Sequence, residues 1–473
     1  MKKLWLLTMF LSWGALIVHG QNNLSQETKS YVVHEKGLYV LQNLTVVDGT
    51  GGLPKYNQDI IIDGNIIKSI GVDLEIPKEA IAIDMKGKSA IPGLIMLHEH
   101  LFYPKATPDR RFGVNQMSYS FPKLYLAGGV TTMRTAGSIM PQADLNLKKA
   151  INKGTLPGPK MDVTSPFLDR EGTGLIELGT FESSEQAVNA VNFYADIGIT
   201  SFKVYNYISK TDLKAICDAA HQRNLKVTGH LCSITYKEAA DIGIDNLEHG
   251  FYASSDFVKN KIENECMPMD MRKSLLELPE NSKEMTDLIN YLVEKKVALT
   301  STINVFEPYT GREVVPGGGL NALYTEAKEK VYNRWINKQG RDSLDYVMFN
   351  KSKIWEKAFY DAGGLLVAGT DPTYDGRIVA GYANMRLVEL FVEMGFSIPE
   401  TVKICTLNGA TYLEQVDSIG TLTSNKIADL VILNEDISKD ISAIRSIEIV
   451  FKNGIGYNSK KLFEAAKGVV GIR

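Results

Sequence analysis

Four of the seven histidines in the chain stand where an apolar, β-branched stretch ends. His98 and His100 close the segment IPGLIMLHEH, His230 closes LKVTGH, and His249 closes IDNLEH. Because successive side chains of a strand point to opposite faces, His98 and His100 are expected on one face and Glu99 on the other. Two neutral imidazoles side by side can chelate a first-row divalent metal. The pattern therefore indicates a metal site.

Two further residues could complete that site. Asp371 ends LLVAGTD, where its carboxylate could bind a cation and accept a proton from water; alone, it could equally cap a helix before Pro372. Lys203 lies in the apolar stretch SFKVYN. If buried, it would lose its proton more easily, and its neutral amine could add carbon dioxide to form a carbamate that bridges two metals. A surface lysine, or a buried ammonium paired with a carboxylate, is the alternative. The sequence leaves one or two ions open, with zinc favoured.

These residues sit in a regular alternation of strands and helices between residues 91 and 416. The strand before His98 and seven later apolar segments give eight strands, and amphipathic helical stretches such as 184–198 and 210–224 separate most of them. That count predicts an α/β fold of the (β/α)₈ TIM-barrel type, in which reactive groups sit at the C-terminal ends of the strands.

The two ends of the chain differ from this middle part. Residues 37–90 and 417–473 are rich in short β-branched segments, and Asp63-Gly64 and Asn453-Gly454 are hairpin signals. Since chain termini often lie close together, both ends are predicted to form one small composite β-sandwich domain.

Residues 307–362 form an over-long segment between the last two predicted strands. Its run Pro316-Gly317-Gly318-Gly319 lacks the Lys-Ser/Thr of a phosphate loop, so no nucleotide role is assigned. A long insertion near the active-site face is typical of a lid or a specificity wall, and a surface helical hairpin is the alternative.

The N-terminus carries an export signal. Lys2 and Lys3 precede an apolar run to Val18, which predicts a signal peptide over residues 1–20, cleaved near Gly20/Gln21 and followed by a leader over 21–36. About 15 apolar residues fall short of the ~20 that span a bilayer. The expected location is therefore periplasmic or extracellular, with no integral membrane segment.

Overall composition narrows the partners. A formal net charge of −3 gives no reason to expect a nucleic-acid partner. The four cysteines form no Cys-x-x-Cys pair and are expected to be buried free thiols: Cys217, Cys232, Cys266 and Cys405. The oligomeric state is left open, a homo-oligomer included.

Taken together, IPGLIMLHEH, FKVY, the isolated His230 and His249, AGTDP and the two β-rich ends resemble the metal-dependent amidohydrolase superfamily over residues 40–457. The resemblance is greatest to the exported imidazolonepropionase-like and Xaa-prolidase-like branch. It implies that His98, His100 and Asp371 bind a more buried metal. It also implies that carboxylated Lys203 bridges to a second metal held by His230 and His249.

The same resemblance implies roles in catalysis. Asp371 would deprotonate the attacking water and later protonate the leaving nitrogen, and Tyr205 would polarise the substrate carbonyl. Arg134 would meet either a substrate carboxylate or a structural ion-pair partner. The chain departs from the family at Met96, where an aspartate is usual, and at Thr135, where an acidic residue is more common.

The function expected from these residues is hydrolysis of a C–N bond in a small amide. A dipeptide, an N-acyl amino acid or a cyclic amide would fit. A lactonase or phosphotriesterase on the same site is one alternative, because the nucleophile does not choose the electrophile. A barrel that binds a ligand without turnover is the other.

Overall fold

The computed structural model describes residues 24–106, 112–175, 178–312, 318–338, 344–372 and 378–471. The predicted signal peptide, its cleavage point, and Pro316 and Gly317 of the insertion lie outside the described residues. The described chain begins with a helix and an edge strand inside the predicted leader. Over the described ranges, no helix is both long enough and apolar enough to cross a membrane.

The described residues contain strands throughout their length. In chain order they are β1 (Val32–His34), β2 (Leu38–Val46), β3 (Lys55–Asp63), β4 (Ile66–Gly71), β5 (Ile81–Asp84), β6 (Ser89–Pro92), β7 (Leu94–Glu99), β8 (Phe102–Ala106), β9 (Phe112–Gln116), β10 (Val130–Thr135), β11 (Lys160–Asp162), β12 (Thr164–Leu168), β13 (Ser201–Val204), β14 (Lys226–Gly229), β15 (Asn246–Glu248), β16 (Ala298–Ser301), β17 (Leu366–Ala368), β18 (Leu430–Leu433), β19 (Ile447–Lys452) and β20 (Ile455–Asn458).

Helices follow most of the central strands and also occupy both ends. They are α1 (Gln26–Tyr31), α2 (Phe121–Ala127), α3 (Pro141–Asn152), α4 (Ser184–Ile197), α5 (Lys210–His221), α6 (Tyr236–Ile242), α7 (Pro268–Glu277), α8 (Lys283–Glu294), α9 (Ile303–Phe306), α10 (Thr325–Lys338), α11 (Leu344–Asp361), α12 (Tyr382–Glu393), α13 (Ile398–Ile404), α14 (Leu407–Tyr412) and α15 (Ser459–Ala465), with 3₁₀ turns at Glu307–Tyr309 and Ile441–Ser446.

The two ends of the chain build one sheet. Its strand order is β1-β20-β19-β18-β6-β2-β3-β4, with β5 paired to β2. The C-terminal strand β18 runs antiparallel to β6, so the last part of the chain completes a sheet that the first part begins. The union of the termini in one sheet is thus observed, while the prediction that they fold as a sandwich stays a prediction.

Both predicted hairpins of this sheet are confirmed. Asn453 and Gly454 join β19 to β20 with φ of 54° and 77°, and two positive φ angles are what a type I′ turn requires. Gly64, with φ of 62°, lies in the turn between β3 and β4. Asparagine and glycine tolerate this left-handed backbone, which is why the signal was readable in the sequence.

The central part has a TIM-barrel-like α/β fold built from parallel strands. One sheet has the order β11-β10-β7 and the other β12-β13-β14-β15-β16-β17. The segment KMDVTSPFL divides at Val163 into β11 and β12 and passes from the first sheet to the second. At the far side, the backbone amides of Thr370 and Asp371 donate to the carbonyl of His98, linking the end of β17 to the end of β7. The carboxyl ends of β7 and β17 therefore adjoin.

Local sequence explains the helices that follow these strands. Helix α4 begins at the N-cap Ser183 and ends at Gly198, whose φ is 105°. Helix α5 has a capping box between Ser209 and Asp212. Both helices occur where apolar residues at helical spacing predicted them, over 184–198 and 210–224.

The described part of the insertion 307–362 consists mainly of α10 and α11. Helix α11 buries Trp355 and Phe359 and packs against α7, α8 and α9. None of its described residues lines the cavity that holds the predicted ligands. Helices α10 and α11 therefore belong to the outer helical layer of the TIM-barrel-like part rather than to the cavity wall.

The prediction of four free thiols is wrong. Cys232 and Cys266 form a disulfide with Cα atoms 4.8 Å apart, whereas Cys217 and Cys405 are free and buried. The pair is 34 residues apart in sequence and neither member belongs to a recognisable motif, so proximity in the fold decided the pairing. The bond ties the loop after His230 to the segment before α7.

Candidate metal and active site

All six predicted ligands lie around one cavity. His98 and His100 come from the end of β7, Lys203 from β13, His230 and His249 from the positions after β14 and β15, and Asp371 from the segment after β17. The cavity measures about 340 Å³. Five of the six residues are buried and His230 is half-buried. The structure therefore brings together residues that are spread over positions 98–371 of the predicted barrel sequence, 91–416.

The tightest group is the pair of β7 histidines with Asp371. Nε2 of His100 lies 3.1 Å from Oδ1 of Asp371, and Nε2 of His98 lies 3.7 Å from the same oxygen. One ligand atom from each residue can be chosen so that all three lie within 4.8 Å of one another. Nδ1 of His100 is buried without a hydrogen-bond partner. Two imidazoles and a carboxylate in this arrangement suit a borderline divalent ion such as zinc.

A second group adjoins the first. The ring of His249 lies 4.6 Å from that of His98 and 4.5 Å from that of His230. Nζ of Lys203 is fully buried, has no hydrogen-bond partner, and lies 3.8 Å from Oε1 of Glu248. A buried ammonium without a hydrogen bond is costly even beside the Glu248 carboxylate, so this nitrogen suits conversion into a ligand.

Burial governs the charges of these groups. It lowers the pKa of His98 to about 4 and that of His230 to about 3, and it lowers the pKa of His249 as well. Burial also lowers the pKa of Lys203 to about 8, against the opposing effect of the Glu248 carboxylate. Neutral imidazoles and a readily deprotonated amine are the forms that bind metal.

Asp371 behaves in the opposite way. Burial raises its pKa, but the neighbouring imidazoles of His98 and His100 outweigh burial and hold the pKa well below the usual range. The carboxylate is therefore anionic in the folded protein, as a ligand must be.

Two of the ligands sit on strained backbone. His249 has φ of 68° and Asp371 has φ of 49°, a left-handed conformation that is uncommon outside glycine. Nδ1 of His249 bonds Oγ1 of Thr302 at 2.9 Å, and the amide of Asp371 donates to the carbonyl of His98 at 2.8 Å. Such conformations cluster at functional sites because the surrounding contacts must hold them in place.

Glu248 is an essential contact that the sequence reasoning missed. Its Oε2 lies 2.7 Å from Nδ1 of His98, and its Oε1 accepts from Nη2 of Arg134 at 2.7 Å. Asn246 donates to the same Oε1 at 3.1 Å. The carboxylate fixes the His98 ring with Nε2 toward the cluster. The available signal was an acidic residue directly before His249, at the end of β15.

These contacts also settle the role of Arg134. The side chain is fully buried, donates from Nε to the carbonyl of Leu97 at 2.8 Å, and does not line the cavity. Of the two roles considered, the structure supports the ion pair, with Glu248, and the contact with a substrate carboxylate is wrong.

Glu99 links the end of β7 to the segment after β17. It points away from the cluster, as predicted, and its Oε1 accepts from the amide of Thr370 at 3.1 Å and from Nδ2 of Asn384 at 3.0 Å. Burial raises the pKa of Glu99 to about 8. Because Thr370 directly precedes Asp371, this carboxyl group holds the last ligand in place.

The remaining predicted residues fall into two groups. Tyr205 lines the cavity, stacks on Phe167 at 4.6 Å and lies 4.8 Å from the His230 ring, so it is close enough to act there; its role on the carbonyl stays a prediction. Met96 is buried in the core, and Oγ1 of Thr135 accepts from the amide of Thr164. These two departures therefore remove no group from the cavity.

Comparison with known proteins agrees with this site. A profile of the amidohydrolase family matches residues 89–456. The chain belongs to the amidohydrolase family. This assignment confirms the predicted superfamily and the predicted class of enzyme, hydrolases of C–N bonds. Members of this family are generally metal-dependent.

Individual relatives show how far the similarity of this amidohydrolase extends along the chain. It is 21% identical over 440 residues to an imidazolonepropionase from Bdellovibrio bacteriovorus, covering 86% of this chain and 89% of that one. A dihydroorotase from Caldanaerobacter subterraneus is 33% identical over 105 residues, so the chain spans only 22% of that relative's length. Among solved structures, a putative prolidase from Bifidobacterium longum aligns with a TM-score of 0.62 at 22% identity, covering 92% of this chain and all of the other. The last likeness shows a shared fold.

Proposed function

We propose that this amidohydrolase is an exported, zinc-dependent enzyme that hydrolyses a C–N bond in a small amide: a dipeptide, an N-acyl amino acid or a cyclic amide. The observation that carries the proposal is the convergence of six ligating side chains from five strand ends on one cavity. The similarity to prolidase and imidazolonepropionase chains supports amide chemistry.

The donor set fits one or two divalent ions. His98, His100 and Asp371 would hold the first, and His230 and His249 would hold the second, with Lys203 carboxylated between them. A divalent metal bound there would act as a Lewis acid and make water more acidic at neutral pH. Nζ of Lys203 and Nδ1 of His100 are buried without a hydrogen bond, which supports the proposal that this site binds a group from outside the polypeptide.

The protein's own groups then handle the protons. A carboxylate oxygen of Asp371 accepts a proton from the attacking water as the new C–O bond forms. The same carboxyl group gives that proton to the departing nitrogen as the C–N bond breaks, leaving a carboxylic acid and an amine. Tyr205, on the cavity wall beside His230, donates its hydroxyl hydrogen to the substrate carbonyl oxygen in this proposal. Glu248 and Glu99 keep His98 and Asp371 in position.

The test is an amide panel assayed with zinc-loaded protein and with the variant Asp371→Asn. We expect at least one dipeptide, N-acyl amino acid or cyclic amide to be hydrolysed, and turnover to fall by roughly 10²–10⁴-fold in the variant. Asp196→Asn, at an exposed carboxylate that pairs with Arg223, is the matched control. Metal analysis of each protein accompanies the assay, because Asp371 is also a ligand.

The same panel separates the alternatives. Lactones and phosphotriesters included beside the amides would reveal hydrolysis of another bond by this site. Absence of turnover on every substrate, in protein that holds its zinc, would contradict the enzymatic proposal and favour a binding role.

Export is proposed from two observations. The N-terminal basic and apolar pattern is typical of a signal peptide, and a disulfide such as Cys232–Cys266 persists chiefly in oxidising compartments. N-terminal sequencing of protein recovered from a secreting host tests the proposal. A mature chain starting at Gln21 is expected, and an unprocessed chain retained in the cytoplasm would contradict it.

A further inference from the structure

The wall of the cavity around the ligands is aromatic. On the His100 side lie Phe102, whose ring centroid is 4.7 Å from that of His100, and Phe167, stacked on Tyr205. Leu175 packs against this cluster and is only half-buried. This side therefore offers apolar surface directly beside the proposed position of the scissile bond.

The opposite side has a second aromatic group. Tyr252 and Phe306 stack with centroids 3.4 Å apart and planes 7° apart, and the Phe306 ring lies 6.3 Å from that of His249. Both rings are half-buried, so both retain surface that a ligand could cover. Val305 extends the same wall.

Among the described residues of the cavity lining, charge is confined to the ligand cluster. Of the described residues that line the cavity, only Lys203 and Asp371 belong to the ionisable acids and bases other than histidine and tyrosine. A charged side chain of a substrate would lose water against these walls, and away from Lys203 and Asp371 it would meet no carboxylate, ammonium or guanidinium among the described lining residues. An aromatic ring would gain by burial and by contact with other rings at 4.5–7 Å.

We propose, on the basis of the function proposed above, that the enzyme selects small amides that carry one aromatic or large apolar group next to the scissile bond. The cavity volume of about 340 Å³ suits a single such group and the amide, rather than a longer peptide. Phe306 and Tyr252 are the specificity-determining rings, because they flank the ligands and keep accessible surface.

The test compares kcat/KM across two matched series. One varies the amino acid in N-acetyl-phenylalanine, -leucine, -alanine, -glutamate and -lysine, and the other varies the acyl group in N-phenylacetyl-, N-acetyl- and N-succinyl-glycine. In at least one series, the aromatic member should exceed the charged member by roughly 10–100-fold, the range for burying one apolar side chain. Equal or higher values for the charged members in both series would overturn the inference.

Variants locate the effect. Phe306→Ala should reduce the ratio of kcat/KM for the aromatic substrate to that for the alanine substrate by at least roughly 5-fold, since a missing ring removes more than one methylene of contact. Tyr252→Leu should act in the same direction. Phe193→Ala removes an exposed ring on α4, outside the cavity, and should leave the ratio unchanged. Circular dichroism and zinc content show that each variant is folded.

A binding measurement separates this inference from the enzymatic proposal. Phenylpropionate, an inert ligand with one ring, should raise the melting temperature of the zinc-loaded protein more than succinate does, and Phe306→Ala should remove the difference. A ring-dependent shift without turnover would uphold the aromatic pocket and contradict the proposed hydrolysis. Turnover without any preference for the aromatic ring would uphold the proposed hydrolysis and contradict the aromatic pocket.

Discussion

Replacing Glu248 by glutamine should destabilise the protein and weaken metal binding together. The substitution preserves shape but removes a charge whose Oε1 accepts from Nη2 of Arg134 and whose Oε2 contacts Nδ1 of His98, both at 2.7 Å. Glu248 and Arg134 are both fully buried, so the guanidinium would be left without its counter-charge.

The expected size of the effect follows from that burial. Breaking a buried ion pair by removing one partner costs about 3–5 kcal/mol. The lower end applies here, about 3 kcal/mol, because Asn246 and Thr228 can still bond the new amide group. Loss of the carboxylate behind a ligating histidine should also reduce zinc affinity by roughly 10–100-fold.

The assay is urea-induced unfolding of zinc-free protein, with zinc affinity measured separately by competition against a chelator. Glu99→Gln is the matched control. This second buried glutamate has a pKa near 8, so it is largely neutral at pH 7, and an uncharged amide should cost less than about 1 kcal/mol there. A Glu248→Gln protein that unfolds within about 1 kcal/mol of wild type and binds zinc equally well would refute the argument.

Three further predictions address other groups. Lys203→Ala should abolish activity, and added bicarbonate, a source of carbon dioxide, should not restore it. If this lysine bridges two metals, the zinc content should fall from about two ions per chain to about one. An unchanged zinc content would contradict the bridge. The double variant Cys232→Ser/Cys266→Ser should lose about 2–4 kcal/mol of unfolding free energy. In a colorimetric thiol assay, unreduced wild-type protein denatured in urea should show two reactive thiols, and four would rule out the disulfide. Burial raises the pKa of Asp212, but its hydrogen bonds to Arg170 and neighbouring donors outweigh burial and lower the pKa to about 2. The carboxylate therefore stabilises the fold at pH values above its unfolded pKa of 3.8, and this stabilisation is lost as the pH falls through 2. Asp212→Asn should therefore cost about 1–2 kcal/mol at pH 7, a figure reduced because Arg170 is partly exposed, and urea unfolding should show the difference vanishing near pH 2.

The positions of the proposed ligands around one cavity were predictable because two simple regularities place them. Side chains two apart on a strand share a face, and the carboxyl ends of parallel strands meet at one end of the fold. His98, His100, His230, His249 and Asp371 each stand at or just past such an end. The amphipathic helices and both hairpins followed from equally local signals.

Other features depend on contacts between distant segments, which local patterns do not report. The disulfide joins two cysteines 34 residues apart, and the antiparallel pairing of β8 with β9 was not predicted. The left-handed backbone of His249 and Asp371 contradicts the usual preference of those residues. It is stabilised by Thr302 and by the end of β7, neither of which is adjacent in sequence.

Two of the buried glutamates, Glu248 and Glu99, hold proposed metal ligands in position. Glu248 on β15 fixes His98 on β7, and Glu99 on β7 fixes the residue before Asp371 after β17. Each carboxyl group therefore positions a ligand on a different strand from its own. The charge on Glu248 is stabilised by Arg134, whereas Glu99 meets only neutral donors and stays protonated at neutral pH.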